Sequence, residues 1–222
     1  MRLTAEHEAC VVEMGMRGLG QIEELALIAE PTMGIITNVG TSHIELLGSR
    51  EAIAEAKGEL IRCLPENSVA ILNEDDPYVK AMDRLAKGKT ITYGIERNAT
   101  CIGSHLRYKK DGIKFTCKCY DEVFWISFSP MIGEHNVYDA LAAIVAGRVL
   151  GIKSNTIRKG LSEFSGTPMR QEIVPFEDIV ILNDAYNANP SSMAEAIKAL
   201  GQLEGKRKIC DARRYARARR LL

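Results

Sequence analysis

The feature that most constrains the fold is a regular alternation of short β-branched apolar runs with segments of helical periodicity. Apolar runs typical of buried strands cover residues 9–14, 33–39, 68–73 and 89–94. Helical spacing fills the stretches between them, over residues 20–30, 50–63 and 76–86, and Ser49 is placed to cap the second of these helices. Because parallel neighbouring strands need a crossover connection, which is usually a helix, this alternation predicts an α/β fold with a mostly parallel sheet flanked by helices.

The second half of the chain departs from this pattern. Between residues 99 and 129, polar and apolar residues alternate with a period of two around a turn signal at residues 110–112. This predicts a small antiparallel β section with one solvated face. Further helices are expected over residues 135–150, 155–164 and 191–203, the last opened by Pro190, and two strands are expected within 172–186.

Charge is distributed unevenly along the chain. Lysine plus arginine and aspartate plus glutamate both number 29, but without residues 210–222 the balance is 24 basic against 28 acidic residues. The final segment carries five arginines: Arg213, Arg214, Arg217, Arg219 and Arg220. A basic arm of this kind suggests a polyanion partner, so a nucleic-acid-binding module is one hypothesis. The body of the chain, however, does not interleave aromatic and cationic residues as nucleic-acid-binding surfaces do.

Cysteine usage and hydropathy indicate a cytoplasmic protein. The six cysteines are scattered, and their spacing completes no zinc site, so we expect reduced thiols. Neither a signal peptide nor an apolar run long enough to span a membrane is visible, and no membrane partner is expected.

Polar clusters follow four of the predicted strands. They are Glu13 and the segments 38–43, 73–76 and 183–189. In open α/β sheets ligands bind beyond the carboxyl ends of the strands, so these clusters predict a shared binding rim. A carboxylate and a histidine at such a rim could bind a divalent metal.

Seven motifs occur in a fixed order and carry a family resemblance. They read VVEMGM, TNVGTSHIE, AKGE, LNEDD, GEHNVYDALAA, MRQE and NDAYNANPSSM. Together they resemble the ATP-binding central domain of the Mur ligases, over about residues 3–209. The last string is similar to the branch of that family that adds D-Ala-D-Ala to UDP-N-acetylmuramoyl-tripeptide. A related amide ligase such as a folylpolyglutamate synthetase is the alternative, against which the YNANP string argues.

The resemblance implies an ATP-dependent amide ligase of peptidoglycan synthesis. ATP would phosphorylate the terminal carboxylate of the tripeptide, and the amine of D-Ala-D-Ala would then displace phosphate from the acyl phosphate. Phosphoryl transfer between anions requires neutralisation of charge, so ATP with Mg²⁺ and cationic side chains is expected.

The resemblance also implies a metal and catalytic set. Glu13 would bind the Mg²⁺ shared with the nucleotide phosphates, and His43 would bind a second Mg²⁺. Lys57 would be carbamylated and lie near the second metal; its alternative is a solvated helix lysine. Glu59, two residues further on, is expected to be an exposed helix acid.

For the nucleotide, the resemblance implies a second set of residues. Asn136 would contact adenine, and Asp139 stands where the family usually has a second asparagine. An ionised aspartate can only accept hydrogen bonds, which puts a contact with adenine N7 in doubt. Arg170 would face the γ-phosphate and Asp184 the ribose. Tyr186, Asn187 and Asn189 belong to the signature, and Asn73 and Asp76 would line the site or cap a helix.

The family's phosphate loop, G-x-x-G-K-[ST], does not occur in the sequence. We therefore expect residues 1–209 to be a partial central domain that lacks its phosphate-loop strand, and the chain to be inactive as a ligase by itself. One allowed set of codons for CDARRYARARR, read one base later, gives AMLGDMLELG, the family's continuation. We accordingly predict that residues 210–222 are translated out of frame, in which case their arginines indicate no nucleic-acid partner.

Overall fold

The computed structural model describes residues 3–42, 44–109, 112–203, 205 and 207–212. Between residues 20 and 94, helices and strands alternate as predicted. The elements are helix α1 (Gln21–Ala29), strand β1 (Met33–Ile36), helices α2 (Ile44–Leu47) and α3 (Arg50–Cys63), strand β2 (Val69–Asn73), helix α4 (Pro77–Lys80) with a 3₁₀ turn (Ala81–Leu85), and strand β3 (Lys89–Gly94). Ser49 caps α3 by accepting a hydrogen bond from the backbone N–H of Ala52. The predicted helix over 76–86 is instead divided between α4 and the 3₁₀ turn.

The second half contains the expected antiparallel section, three helices and a separate two-stranded ribbon. Its elements are strands β4 (Cys101–Lys109), β5 (Gly112–Cys119) and β6 (Glu122–Phe128), helices α5 (Glu134–Val149) and α6 (Ser154–Glu163), strands β7 (Glu172–Phe176) and β8 (Ile179–Asn183), and helix α7 (Pro190–Gln202). Residues 110 and 111 of the predicted β4–β5 turn lie outside the described residues. The same holds for residues 213–222, so the frameshift hypothesis for the tail stays a prediction.

Strands β1 to β6 form one sheet in sequence order. Strands β1 to β4 pair in parallel, whereas β4, β5 and β6 pair antiparallel. The antiparallel section is therefore a continuation of the parallel sheet. Strands β7 and β8 form their own two-stranded antiparallel sheet.

Helices cover both faces of the large sheet. Ala70 and Leu72 of β2 pack towards α3 and α4, whereas Ile71 between them packs towards α5. This alternation follows from the two-residue period of a strand and produces a core on each side. Among the described residues, no helix is long and apolar enough to cross a membrane.

The prediction of a buried strand over residues 9–14 is wrong. This segment has no regular secondary structure, and Val11 is 96 % exposed. In the described part of the chain no strand pairs with it, and an apolar run forms a strand only where neighbours supply hydrogen bonds and cover its side chains.

Candidate functional site

A cleft of about 950 Å³ opens beyond the carboxyl ends of β1 and β2. The loop after β1 (residues 37–42) and Asn73 form one wall, and the first two turns of α5 form another. Residues 167–171 and 184–192 close the remaining side. Three of the four predicted polar clusters thus lie at one rim, while Glu13 is exposed and does not line the cleft.

The loop after β1 is held by side chains from β2, α3 and α4. Asn73 donates to the carbonyl of Thr37 at 2.9 Å, and the N–H of Val39 donates to the Asp76 carboxylate at 2.8 Å. Asp76 also caps α4, so it both caps a helix and supports the cleft. Arg50 donates to the carbonyl of Val39 at 2.6 Å. These contacts fix the backbone of the loop without using side chains of its own.

The signature segment after β8 contacts this loop although the two are about 150 residues apart in sequence. Asn189 donates to the hydroxyl of Ser42 at 3.2 Å, and the hydroxyls of Thr41 and Ser191 lie 3.1 Å apart. Asn189 is also the N-cap of α7 and forms a reciprocal capping box with Ser192. Local capping chemistry therefore orients the segment, and two hydroxyl contacts join it to the opposite wall.

Arg170 lies in the cleft on a tightly constrained loop. Both neighbours, Met169 and Gln171, have left-handed backbone φ angles of 61° and 49°. The N–H of Gln171 donates to Asp184 at 3.2 Å, and the Arg170 guanidinium lies over the ring of Tyr186, 4.2 Å from its centroid. Left-handed conformations in residues other than glycine are costly, and they persist where surrounding contacts enforce them. The loop therefore presents a preoriented cation to the cleft.

Asn136 and Asp139 lie on successive turns of α5. Asn136 is buried, and its amide nitrogen donates to the carbonyl of Ile132. Asp139 lines the cleft, and its surface is exposed there. Desolvation by the surrounding protein raises the pKa of its carboxyl, and the nearby His135 opposes this shift. Desolvation disfavours the charged carboxylate, so a larger fraction of Asp139 is protonated at a given pH than for an aspartate on an open surface.

Lys57 does not line the cleft but contacts the loop after β1 that forms one of its walls. Its Nζ donates to the carbonyl of Asn38 at 2.6 Å. Burial lowers the pKa of the Lys57 amine, and the negative charge of Asp76 opposes the shift. A lowered amine pKa increases the neutral fraction, which is the form that reacts with electrophiles such as CO₂.

The structure brings the residues of the predicted nucleotide set together at one cleft. Asn136, Asp139, Arg170, Asp184 and Asn187 all line the cleft. Of the predicted metal set, Glu13 and Lys57 do not line this cleft, and His43 is outside the described residues. Within the described ranges, no group of three or more histidine, cysteine, aspartate or glutamate residues is arranged to hold a metal ion.

Two acidic residues have structural roles that the sequence did not predict. Glu59 is buried rather than exposed, and its carboxylate accepts from the N–H groups of Gly20 and Glu23 at 2.7 and 3.2 Å. Glu59 on α3 therefore caps α1, a helix far from it in sequence. No local sequence pattern predicts such a cap. Asp75 accepts from Ile95, Glu96 and Arg97 N–H groups and from the Tyr138 hydroxyl. The only sequence feature that points to this role is the position of Asp75 beside Asp76 in the LNEDD string.

Comparison with protein families gives a match to the Mur ligase middle domain over residues 1–147. Among curated proteins, the chain is 41 % identical over 199 residues to the UDP-N-acetylmuramoyl-tripeptide–D-alanyl-D-alanine ligase of Bacillus subtilis. That match covers 89 % of this chain and 42 % of the relative. The chain therefore spans less than half the length of that protein.

Solved structures of MurF ligases are also similar to the chain. A crystal structure of MurF from Acinetobacter baumannii superposes with a TM-score of 0.86 at 29 % identity, over 91 % of this chain and 44 % of that one. MurF ligase from Thermotoga maritima in complex with ADP superposes with a TM-score of 0.79 at 26 % identity, over 87 % and 44 %. A mutant of FPGS from L. casei, at 22 % identity and a TM-score of 0.64, over 79 % and 44 %, shares the fold alone.

Proposed function

Because the chain belongs to the Mur ligase family through its middle domain, we propose that it is the nucleotide-binding part of a ligase that adds D-Ala-D-Ala to UDP-N-acetylmuramoyl-tripeptide. The relatives with this activity are more similar to the chain than the folylpolyglutamate synthetase is. The observation that carries the proposal is the cleft, where the loop after β1, the start of α5, Arg170 and the signature segment converge.

The proposed reaction forms an amide bond in two steps. The γ-phosphoryl group of ATP is transferred to the terminal carboxylate of the tripeptide, giving an acyl phosphate and ADP. The amine of D-Ala-D-Ala then attacks the acyl carbon, the C–O bond to phosphate breaks, and the amine loses a proton. Both transferring and accepting groups are anionic in the first step, so positioned cations stabilise its transition state.

In this proposal Arg170 is the cation at the γ-phosphate. The Tyr186 ring supports the face of the guanidinium, and the constrained loop limits its freedom. A preoriented guanidinium loses little conformational entropy when it binds a phosphate oxygen, and its planar fork matches two oxygens at once. Asp184, which already holds the N–H of Gln171, is assigned to the ribose side and would couple that contact to the Arg170 loop.

Asn136 and Asp139 are assigned to the base. The Asn136 amide nitrogen is committed to Ile132, so a contact with adenine N6 would use its amide oxygen as the acceptor. An aspartate in its neutral form can donate one hydrogen bond and accept another, as an asparagine can. The raised pKa of Asp139 thus offers a way around the repulsion expected between a carboxylate and adenine N7.

Lys57 is assigned as the carbamylated lysine. Its neutral amine would add to CO₂, forming an N–C bond and releasing a proton, and the product is an anionic carbamate. Its lowered pKa favours that reaction. Among the described residues, no group of three or more histidine, cysteine, aspartate or glutamate side chains is arranged to hold a metal ion. The roles of Glu13 and His43 as metal ligands therefore stay predictions.

Calorimetric titration of the chain with ATP and ADP tests the assignment of Arg170. We expect Arg170→Ala to weaken ATP binding by roughly tenfold, the loss of one charge-assisted hydrogen bond, and to change ADP binding much less. Arg158→Ala, on the exposed face of α6, is the matched control and should alter neither. Equal ATP affinity in both variants would refute the assignment.

The ligase reaction is tested on a protein that contains this chain together with the further length present in its relatives. We expect ATP-dependent formation of the pentapeptide product when D-Ala-D-Ala is supplied, and none when glutamate replaces it. Glutamate addition to a folate substrate would instead support the alternative ligase.

A further inference from the structure

Three buried thiols meet on the face of the sheet that α5 covers. Cys101 lies on β4, Cys117 and Cys119 lie on β5, and all three are fully buried. Cys117 and Cys119 are two residues apart, so their side chains project to the same face of the strand. Cys101 pairs with Cys119 in the antiparallel register, and its Sγ lies 3.5 Å from the Sγ of Cys117. Cys101 therefore lies directly opposite Cys119 in the sheet and has its sulfur in contact with that of Cys117.

The Cys101–Cys119 pair has the backbone geometry that a disulfide needs. The N–H of Tyr120 donates to the carbonyl of Thr100 at 3.2 Å, which makes the next pair, Cys101 and Cys119, a non-hydrogen-bonded one. Such pairs have Cα atoms about 4.5 Å apart, with their side chains close together. Disulfides span Cα separations of about 4.4–6.8 Å, so this pair can close without moving the strands.

Cys119 also has the environment of a reactive thiol. Interaction with the Cys101 thiol lowers the pKa of the Cys119 thiol, and the positive charge of Arg148 lowers it further, whereas burial and the negative charge of Glu122 oppose the shift. Arg148 pairs with Glu122 and Ser154, but its Nε is buried without a hydrogen-bond partner among the described residues. The thiolate is the nucleophilic form of cysteine, and nearby arginines favour it.

An oxidant would reach the fully buried Cys119 through local opening at the end of the strand. Cys119 is the last residue of β5 and immediately precedes the exposed turn at Tyr120 and Asp121. Turns open locally at low cost in free energy compared with the centre of a sheet. Cys117, by contrast, is flanked on both sides by paired strand residues.

We propose that Cys119 and Cys101 form an oxidisable dithiol site, with Cys119 as the attacking thiol and Cys101 as the resolving thiol. With hydrogen peroxide as the oxidant, the Cys119 sulfur attacks one oxygen, the O–O bond breaks, and Cys119 sulfenic acid and one water form. The Cys101 sulfur then attacks the sulfenic sulfur, the S–S bond forms, and a second water leaves. The two thiols lose two electrons and two protons, and the peroxide is reduced to two waters.

The resulting bond would join β4 to β5 at the residue where β4 also pairs with β3. It would therefore fix the junction between the parallel and antiparallel parts of the sheet. This chemistry is independent of the proposed ligase function, so either can fail without the other.

The linkage can be read by tryptic mapping, because Lys118 separates the two candidate cysteines of β5. Cleavage at arginine and lysine places Cys101 in peptide 98–107, Cys117 in 115–118 and Cys119 in 119–148. The chain is treated with hydrogen peroxide, blocked with iodoacetamide, digested without reduction and analysed by mass spectrometry. We expect peptides 98–107 and 119–148 joined, lighter by two hydrogens than their sum, and released by dithiothreitol.

Single alanine variants provide the controls. Cys117→Ala should form the linked peptide as the parent does, whereas Cys119→Ala and Cys101→Ala should lose it; circular dichroism verifies the fold of each. The proposal is overturned if peptide 115–118 is the one joined to 98–107. It is also overturned if no link forms at a peroxide dose that oxidises the exposed Cys10 in the same sample.

Discussion

Replacement of Asp75 by asparagine is the sharpest test of how the cleft is supported. The carboxylate lies two residues after β2 and accepts four hydrogen bonds. Oδ2 accepts from the N–H groups of Ile95 and Glu96 at 2.6 and 3.0 Å and from the Tyr138 hydroxyl at 3.0 Å, and Oδ1 accepts from the N–H of Arg97 at 2.8 Å. One side chain therefore joins the loop after β2 to the loop after β3 and to α5.

The expected cost follows from the donors that asparagine leaves unpaired. Its oxygen can replace Oδ2, but its amide NH₂ then faces the N–H of Arg97, so one hydrogen bond is lost and the other three lose their charge assistance. Hydrogen bonds to charged groups contribute roughly 1.5–3 kcal/mol and neutral ones about 1 kcal/mol. Because Asp75 is partly solvated, we take the lower part of this range for the loss. We expect Asp75→Asn to lower the free energy of unfolding by about 2 kcal/mol at pH 7.

The pH dependence supplies an independent check. Burial alone would raise the pKa of Asp75, but the backbone hydrogen bonds from Glu96 and Ile95, with those from Tyr138 and Arg97, outweigh it, so the folded pKa is lowered. A lowered carboxyl pKa contributes stability that is present above the unfolded pKa of about 3.9 and is lost as the pH falls through the folded value. The difference between parent and variant should therefore shrink below about pH 4.

The assay is urea unfolding of both proteins between pH 3 and pH 8, with Asp178→Asn in the exposed β7–β8 turn as the matched control. The reasoning is refuted if Asp75→Asn costs no more than the control at pH 7, or if its cost does not change with pH.

Three further predictions concern single side chains. Glu59→Gln should lower the free energy of unfolding by about 1–2 kcal/mol, because it weakens the cap of α1. Glu55→Gln, at an exposed position of the same helix, should lower it by under about 0.5 kcal/mol, and urea unfolding compares the two variants. If Asp139 contacts adenine in its neutral form, ATP affinity should fall as the pH rises through its raised pKa, and Asp139→Asn should bind with no such dependence, as calorimetry at several pH values would reveal. Incubation with ¹³C-bicarbonate should give a carbamate NMR signal that is absent from Lys57→Arg, and a signal unchanged in that variant would exclude Lys57 as its source.

The frameshift hypothesis makes a prediction about the gene. Sequencing the gene across codons 205–222 should reveal codons that give the family's continuation when read one base later. Codons that cannot do so would end the frameshift hypothesis.

The elements of the fold could be predicted because their signals are local. Apolar runs of β-branched residues gave the positions of β1, β2 and β3, and the period-two stretch gave the antiparallel section. Ser49 and Pro190 placed the starts of α3 and α7 correctly, since a cap acts through hydrogen bonds within one turn. The order of the motifs likewise gave the family without reference to any contact.

What the sequence could not determine depends on contacts between distant segments. Glu59 reads as an exposed acid on its own helix, and only the packing of α1 against α3 turns it into a buried cap. Residues 9–14 have the composition of a strand, but no strand in the described part of the chain pairs with them. The meeting of Asn189 with Ser42 arises in the same way, from segments whose separation in sequence leaves no periodic trace. Local free energies choose helix or strand, whereas burial and partner choice are set only when the whole chain folds.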